Sequence, residues 1–164
     1  MTPLPNDQTP MRLAIAASVQ ALEAGNLPFG ATLVSGAGQT VWVAQNNQVT
    51  SGDCMGHAET VLVREATAAL GAQALHGATV YASAEPCAMC AGAMFWAGIR
   101  RVVYGATQSD IAQALGGAVL PSGCAAVLAG ASPAVVVHGP LLREEAVSVL
   151  GRWARTAVNG GRNA

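Results

Sequence analysis

Apolar positions recur along this chain with two different periods, and the switches between them mark out a series of elements. Met11, Ile15, Val19 and Leu22 form a stripe at helical spacing. Thr9 and Pro10 ahead of it suit an N-cap followed by proline at the first helical position. Short apolar runs at 31–34 and 41–44, either side of a glycine-rich turn at 35–38, read as a hairpin. Helix-forming runs cover 58–70 and 88–97, with a strand at 79–83 between them and another at 101–104. A helix is expected at 109–115, an apolar strand at 134–138 and, after Gly139-Pro140, a last helix over 142–156. Strands alternating with helices predict an α/β layered sheet, and the short apolar strands predict cover on both of its faces.

Composition narrows the class. A chain of 164 residues is long enough for one domain with a real core. That domain is expected over 1–158, with 159–164 as a disordered tail and the proline-rich first ten residues frayed. Hydrophobic residues make up 52 %, much of it alanine, yet no apolar run approaches the roughly 20 residues of a membrane span. The run after Arg12 faintly resembles a signal peptide, but Asp7 precedes it and its helical stripe favours an amphipathic first helix. Four cysteines, two of them at metal-ligand spacing, suit a reducing cytoplasm better than a disulfide scaffold.

The chemistry is concentrated in His57-Ala58-Glu59 and Pro86-Cys87-Ala88-Met89-Cys90. The first offers a nitrogen ligand and a carboxylate, the second two thiolates on one helix face. Three protein ligands and a spare acid describe a catalytic zinc, because the fourth position stays open for water. Both motifs sit at expected helix starts, where unsatisfied N–H groups and the helix dipole favour thiolate over thiol. Glu59 is harder to place, since residues two apart on a regular helix diverge. Taken alone, Cys87 and Cys90 also fit a redox pair or half of a structural zinc site. Cys54 or Cys124 would then complete a closed four-ligand module; with a catalytic zinc, these two are expected to be buried as small apolar residues.

Histidine-x-glutamate followed by Pro-Cys-x-x-Cys is a signature of zinc deaminases. Pro28-Phe29-Gly30-Ala31, Asn46-Asn47, His57-Ala58-Glu59 and Glu85-Pro86-Cys87-Ala88-Met89-Cys90-Ala91-Gly92-Ala93-Met94 together resemble the cytidine deaminase superfamily. Guanine deaminases and tRNA wobble adenosine deaminases look closest, over roughly residues 27–105. The resemblance implies a three-layer α/β/α sandwich with a mixed central sheet and one zinc per chain on His57, Cys87 and Cys90. It implies Glu59 as proton shuttle. Asn46 matches an asparagine that reads the base edge, and Phe29 lies in a segment that walls the pocket. The backbone around Ala58, Glu85 and Cys87 would orient the base. Trp96 falls where guanine deaminases tend to carry an aromatic residue. A homodimer is also implied.

Charge bears on the substrate. The chain has no lysine, eight arginines and nine acids, for a net charge of −1. Phosphate binding needs cations, so a free nucleobase or nucleoside is favoured over tRNA, and guanine is the first candidate. Beyond Gly105 the chain departs from both branches. Residues 106–132 are rich in glycine and alanine, and Asp110, Glu144 and Glu145 are the acids left to read a purine there.

Overall fold

The computed structural model describes residues 6–117 and 120–159. Apart from Asn159, the expected tail lies outside the described residues, as do residues 1–5.

Helix α1 (Gln8–Glu23) turns Met11, Ala14 and Ala21 fully inward. Its cap is Asp7 rather than the expected Thr9, and Met11 N–H donates to Asp7 O at 3.2 Å. Pro10 therefore lies third in the helix. Its missing N–H is harmless there, because first-turn N–H groups have no intrahelical acceptor. The Asp7 carboxylate is buried and accepts from Tyr81 Oη at 2.6 Å and from Arg101 Nη2 at 2.6 Å. A buried charge needs such partners. Burial first, then the Asp7 bond, pushes the Tyr81 phenol up to about 12.

The hairpin is β1 (Gly30–Val34) and β2 (Thr40–Gln45), antiparallel. A short helix α2 (Gln48–Ser51) precedes α3 (Ala58–Leu70), whose bounds match the expected run. A 3-10 turn (Ala72–Leu75) leads to β3 (Thr79–Ala84), α4 (Ala88–Trp96) and β4 (Arg101–Ala106). Then come α5 (Gln108–Leu115), α6 (Cys124–Val127), β5 (Val136–His138) and α7 (Arg143–Asn159). The sheet runs β2-β1-β3-β4-β5, with β1 antiparallel to β2 and β3, and β3, β4 and β5 mutually parallel.

Alternation along the strands divides the core in two. Leu33, Val80 and Val102 pack with Val61, Leu62 and Met94 of α3 and α4. Tyr81 and Val103 pack with Met11, Ile15, Val149 and Leu150 of α1 and α7. The sheet is mixed and covered on both faces, the α/β/α sandwich that the motifs imply. A β-carbon at Gly30 would collide with Ala14 O and Ala17 of α1, so the closeness of that layer requires glycine. Because β1 runs against β3, the start of β1 lies beside the end of β3, and Gly30 N–H donates to Ser83 Oγ at 3.0 Å. Phe29 is thereby brought to the loop that follows β3.

Two contacts centred on Asp110 tie α5 and α7 together. Thr107 and Asp110 form a reciprocal capping box at the start of α5. Arg143 Nε donates to Asp110 Oδ2 at 2.9 Å, tying α7 to α5. The Arg143 bond, followed by the bonds from Thr107, holds the Asp110 carboxyl below its ordinary value despite burial. A depressed acid contributes stability that is fully present above its unfolded pKa and is lost as pH falls through the folded one. Asp110→Asn should cost about 1–2 kcal/mol at neutral pH, the scale of a lost cap. Denaturant unfolding checks this, and the gap to the parent should close as pH falls below about 3.9.

Candidate active site

Both motifs lie where the sheet delivers them to helix starts. His57 immediately precedes α3 (φ −70°, ψ 147°), and Cys87 immediately precedes α4 (φ −70°, ψ 172°). Each is extended rather than helical, so each projects away from its helix while the next residues begin it. The difficulty over Glu59 disappears for this reason. His57 is outside the helix, and the divergence of residues two apart does not govern the pair. Thr60 Oγ1 donates to His57 O at 2.9 Å and also to Met55 O, which pins the loop before α3.

Three donor atoms converge. His57 Nδ1 lies 3.7 Å from Cys87 Sγ and 3.6 Å from Cys90 Sγ, and the two sulfurs are 3.6 Å apart. With Zn–S about 2.3 Å and Zn–N about 2.0–2.1 Å, a tetrahedral ion separates its ligands by roughly 3.8 Å (sulfur to sulfur) and roughly 3.6 Å (nitrogen to sulfur). The observed spacings agree within about 0.2 Å of these edges. Two thiolates with an imidazole are a donor set suited to zinc. Among the described residues this is the one such cluster, and neither Cys54 nor Cys124 belongs to it.

The bond between the two thiols, with His57 assisting, brings the Cys87 thiol down to about 4, while Cys90 is raised by that same bond and by burial. His57 is raised chiefly by its bond to Cys87. Glu59 is only 6 % exposed. Burial pushes its carboxyl above the ordinary range, partly offset by its own backbone N–H and by Cys90. A carboxyl raised by burial is suited to receiving and returning a proton.

These groups open into a cavity of about 400 Å³. Leu27 and Phe29 line one side, and His57, Glu59, Glu85 and Cys87 line it nearby. Met89 adds to this lining, and Gln108, Ile111, Leu115 and Leu120, from the segment after β4, supply a second, largely apolar wall. The structure thus brings Phe29 and Glu85 to the cavity with the ligands and Glu59. Asn46 and Ala58 are buried but do not line it. Asn46 N–H donates to Phe29 O at 2.9 Å, and its Oδ1 accepts from Gln48 N at 3.1 Å. Among the described residues its buried Nδ2 has no partner. Trp96, at the end of α4, is 84 % exposed and lies outside the lining of its own chain.

One expectation needs correction. Cys124 is buried, but Cys54 is exposed. The Asp53 carboxylate accepts from Met55 N at 2.8 Å, and this tight turn leaves Cys54 facing outward at the cavity rim. At Glu85 the backbone N–H donates to Ala106 O at 2.8 Å. Its carboxylate accepts from Gln108 N and from Cys124 N, each at 3.1 Å. A β-carbon at Gly123 would push this carboxylate aside, so glycine leaves room for its approach. Glu85 therefore clasps both ends of the segment that supplies the second wall. Neither that role nor the wall was apparent in the sequence. The available signal was an acid directly before the Pro-Cys motif.

Residues 4–106 match the family model of the cytidine and deoxycytidylate deaminase zinc-binding region. The chain belongs to this family. As a family member it is a zinc-type hydrolytic deaminase, and His57, Cys87 and Cys90 are placed to hold the metal. It is 39 % identical over 110 residues to a guanine deaminase of Bacillus subtilis, covering 66 % of this chain and 70 % of that one. It is 36 % identical over 141 residues to a probable cytosine deaminase of Schizosaccharomyces pombe, covering 84 % and 85 %. It is 41 % identical over 100 residues to a tRNA-specific adenosine deaminase of Bacillus subtilis, covering 61 % and 62 %. The guanine deaminase structure from Nitrosomonas europaea has the same fold, with a TM-score of 0.77 over 94 % of this chain and 87 % of that chain at 22 % identity. Three relatives of comparable identity carry three different substrates, so family membership alone does not choose among them.

Cys87→Ala in this deaminase should abolish zinc retention, from about one ion per chain to near zero, as measured by elemental analysis after dialysis. Cys54→Ala and Cys124→Ala should leave the stoichiometry unchanged. Cobalt substitution should give the charge-transfer intensity of two thiolates in all but the first variant.

Proposed function

We propose that this protein hydrolytically deaminates a free nucleobase or nucleoside, with guanine (giving xanthine and ammonia) as the first candidate. The observation that carries this reading is a small, largely apolar cavity holding one buried carboxylate beside three metal donors. Its volume of about 400 Å³ falls in the range of small-molecule sites.

Zinc, when bound, makes water acidic enough to supply hydroxide near neutral pH. Glu59 takes the proton of the attacking water and gives it to the ring nitrogen next to the amine-bearing carbon. It then takes the second proton, from the newly added hydroxyl, and delivers it to the departing amine. A C–O bond forms, a C–N bond breaks, and one water is consumed for each ammonia released. Phe29 offers an apolar face to the ring. Asn46, which lies behind the lining rather than in it, is assigned to the base edge only as the family resemblance implies. The backbone at Ala58 and Cys87 is assigned to orient the ring. Purine metabolism in the cytoplasm is the setting that four free cysteines and the reaction suit. No helix among the described residues is long and apolar enough to cross a membrane.

A homodimer is part of the same reading. Trp96, stacked edge-on against Phe95 with ring centroids 5.0 Å apart and otherwise exposed, is the surface it assigns to a second chain.

The tRNA reading is disfavoured by how the arginines are used. Of the seven described arginines, Arg12, Arg64, Arg101, Arg143 and Arg152 each pair with an acid. Few cations are left for phosphate. The closed structural-zinc reading lacks a fourth protein ligand among the described residues.

Ammonia release by the zinc-loaded protein tests the proposal. Substrates are guanine, adenine, cytosine, their nucleosides and an anticodon stem-loop, with Glu59→Ala as blank. Turnover of a base or nucleoside is expected. Glu59→Gln should keep its zinc and lose turnover by about 10²–10⁴-fold. Turnover of the stem-loop alone would overturn the small-molecule reading.

A further inference from the structure

The cavity's second wall carries few polar side chains to read a substrate. Asp110, Glu144 and Glu145 do not line it. Asp110 is committed to Arg143 and Thr107, and Glu145 to Arg12. Ile111, Leu115 and Leu120 offer no hydrogen bond, and Ser122 is exposed. Gln108 is different. It lines the cavity half-buried, as the first residue of α5.

Gln108 is also tethered twice to the same residue. Its backbone N–H donates to Glu85 Oε2 at 3.1 Å, and its side-chain Nε2 donates to Glu85 O at 3.2 Å. The second bond fixes the carboxamide's orientation. Reversing it would set two carbonyl oxygens against each other, an acceptor facing an acceptor. With one Nε2 hydrogen committed, Oε1 is the amide's free acceptor, and among the described residues it accepts no hydrogen bond. A polar atom on an otherwise apolar wall, with its rotamer held from behind, is the arrangement that recognition requires.

We infer that Gln108 is a substrate-reading residue whose Oε1 accepts a hydrogen bond from a ring N–H or exocyclic N–H₂ of the heterocycle, with Glu85 as the positioning residue behind it. This rests on the deaminase reading of the cavity and deepens it. The chemical class it selects is an amino-heterocycle with a second N–H donor away from the reacting amine. Glu85, one residue from the Pro-Cys motif, makes this reader part of the same rigid unit as the metal ligands.

The test uses the zinc-loaded full chain as parent, Gln108→Leu and Gln108→Glu. Ligands are guanine and its 1-, 7- and 9-methyl derivatives, each of which blocks one ring N–H, together with 2-N-methylguanine. The same set is built on Glu59→Gln, and binding is followed by calorimetry, so that recognition is read without turnover. The parent should discriminate against one methyl derivative. Gln108→Leu should raise KM and weaken binding of guanine about tenfold, the scale of one lost hydrogen bond, with kcat within a few-fold of the parent. It should also erase the discrimination. Gln108→Glu, which keeps an acceptor, should restore part of it. A merely structural role would not select one methyl position.

Unchanged binding and unchanged discrimination in Gln108→Leu with full zinc would overturn the inference while leaving the deaminase reading intact. Binding that depends on Gln108 without ammonia release from any base would instead support the reader and sink the proposed reaction. Failure of the parent to bind any of these ligands, or another base that it turns over, in a Gln108-dependent way overturns the inference.

Discussion

Two thiol sulfurs and an imidazole nitrogen are held 3.6–3.7 Å apart although His57 and Cys87 are thirty residues apart in the chain. Everything near the site follows from that constraint. It is met by starting two helices at one place and packing both on the same face of one sheet. Ala58, Ala66 and Ala91 lie fully buried in that core with Leu62 and Met94. Small side chains let α3 and α4 approach closely, and the larger ones fill the space left around them. The β3–β4 parallel pairing sets where α4 begins, because Glu85 and Pro86 alone separate β3 from Cys87. A shift of a few tenths of an ångström in either helix would open the donor triangle. The Ala-rich core is the device that prevents it.

The second wall depends on a different kind of contact. Glu85 holds Gln108 and Cys124 through their backbone N–H groups, across 23 and 39 residues of sequence. The segment between those anchors carries little charge and few large side chains, so it lacks a core of its own to fold against. A carboxylate receiving two N–H bonds supplies the order that packing does not. The same carboxylate, after burial, helps raise the thiol of Cys124 to about 12, so that Cys124 stays a neutral, packed group beside the site. This accounts for a buried cysteine near the metal donors that is not one of them.

What could be read from the sequence divides along the same line. The limits of α3 and the positions of β1, β2, β3 and β4 were legible because they rest on local periodicity. The metal-donor set was legible because its spacing is local within each motif, whereas spacing did not place Glu59, which depends on the extended backbone of His57. Sheet order, the Glu85 clasp and the wall from Gln108 onward rest on long-range hydrogen bonds, which leave no periodic trace. Asp7 displaced Thr9 as the cap of α1 because its carboxylate also answers Arg101 and Tyr81 from distant strands. Cys54 turned outward because Asp53 made a turn there, a competition between local hydrogen bonding and burial that composition does not decide. Trp96 stayed exposed in the single chain since nothing beyond Phe95 covers it among the described residues.

Charge balance links the metal set to the kind of substrate the cavity can take. A zinc dication on Cys87, Cys90 and neutral His57 would be neutralised by its two thiolates. Glu59 is then the one net charge among these groups, and it is buried. The acids and arginines elsewhere are largely paired with each other and lie outside the lining, Glu85 apart, whose charge is spent on two backbone N–H groups. An anionic phosphate entering this cavity would find an apolar wall and a like charge, and would lose its hydration without compensation. A neutral heterocycle suffers neither cost. It can also take up the proton that Glu59 carries. On the proposed reading, in which Glu59 exchanges a proton within the cavity, the scarcity of unpaired cations around it favours a small, uncharged base.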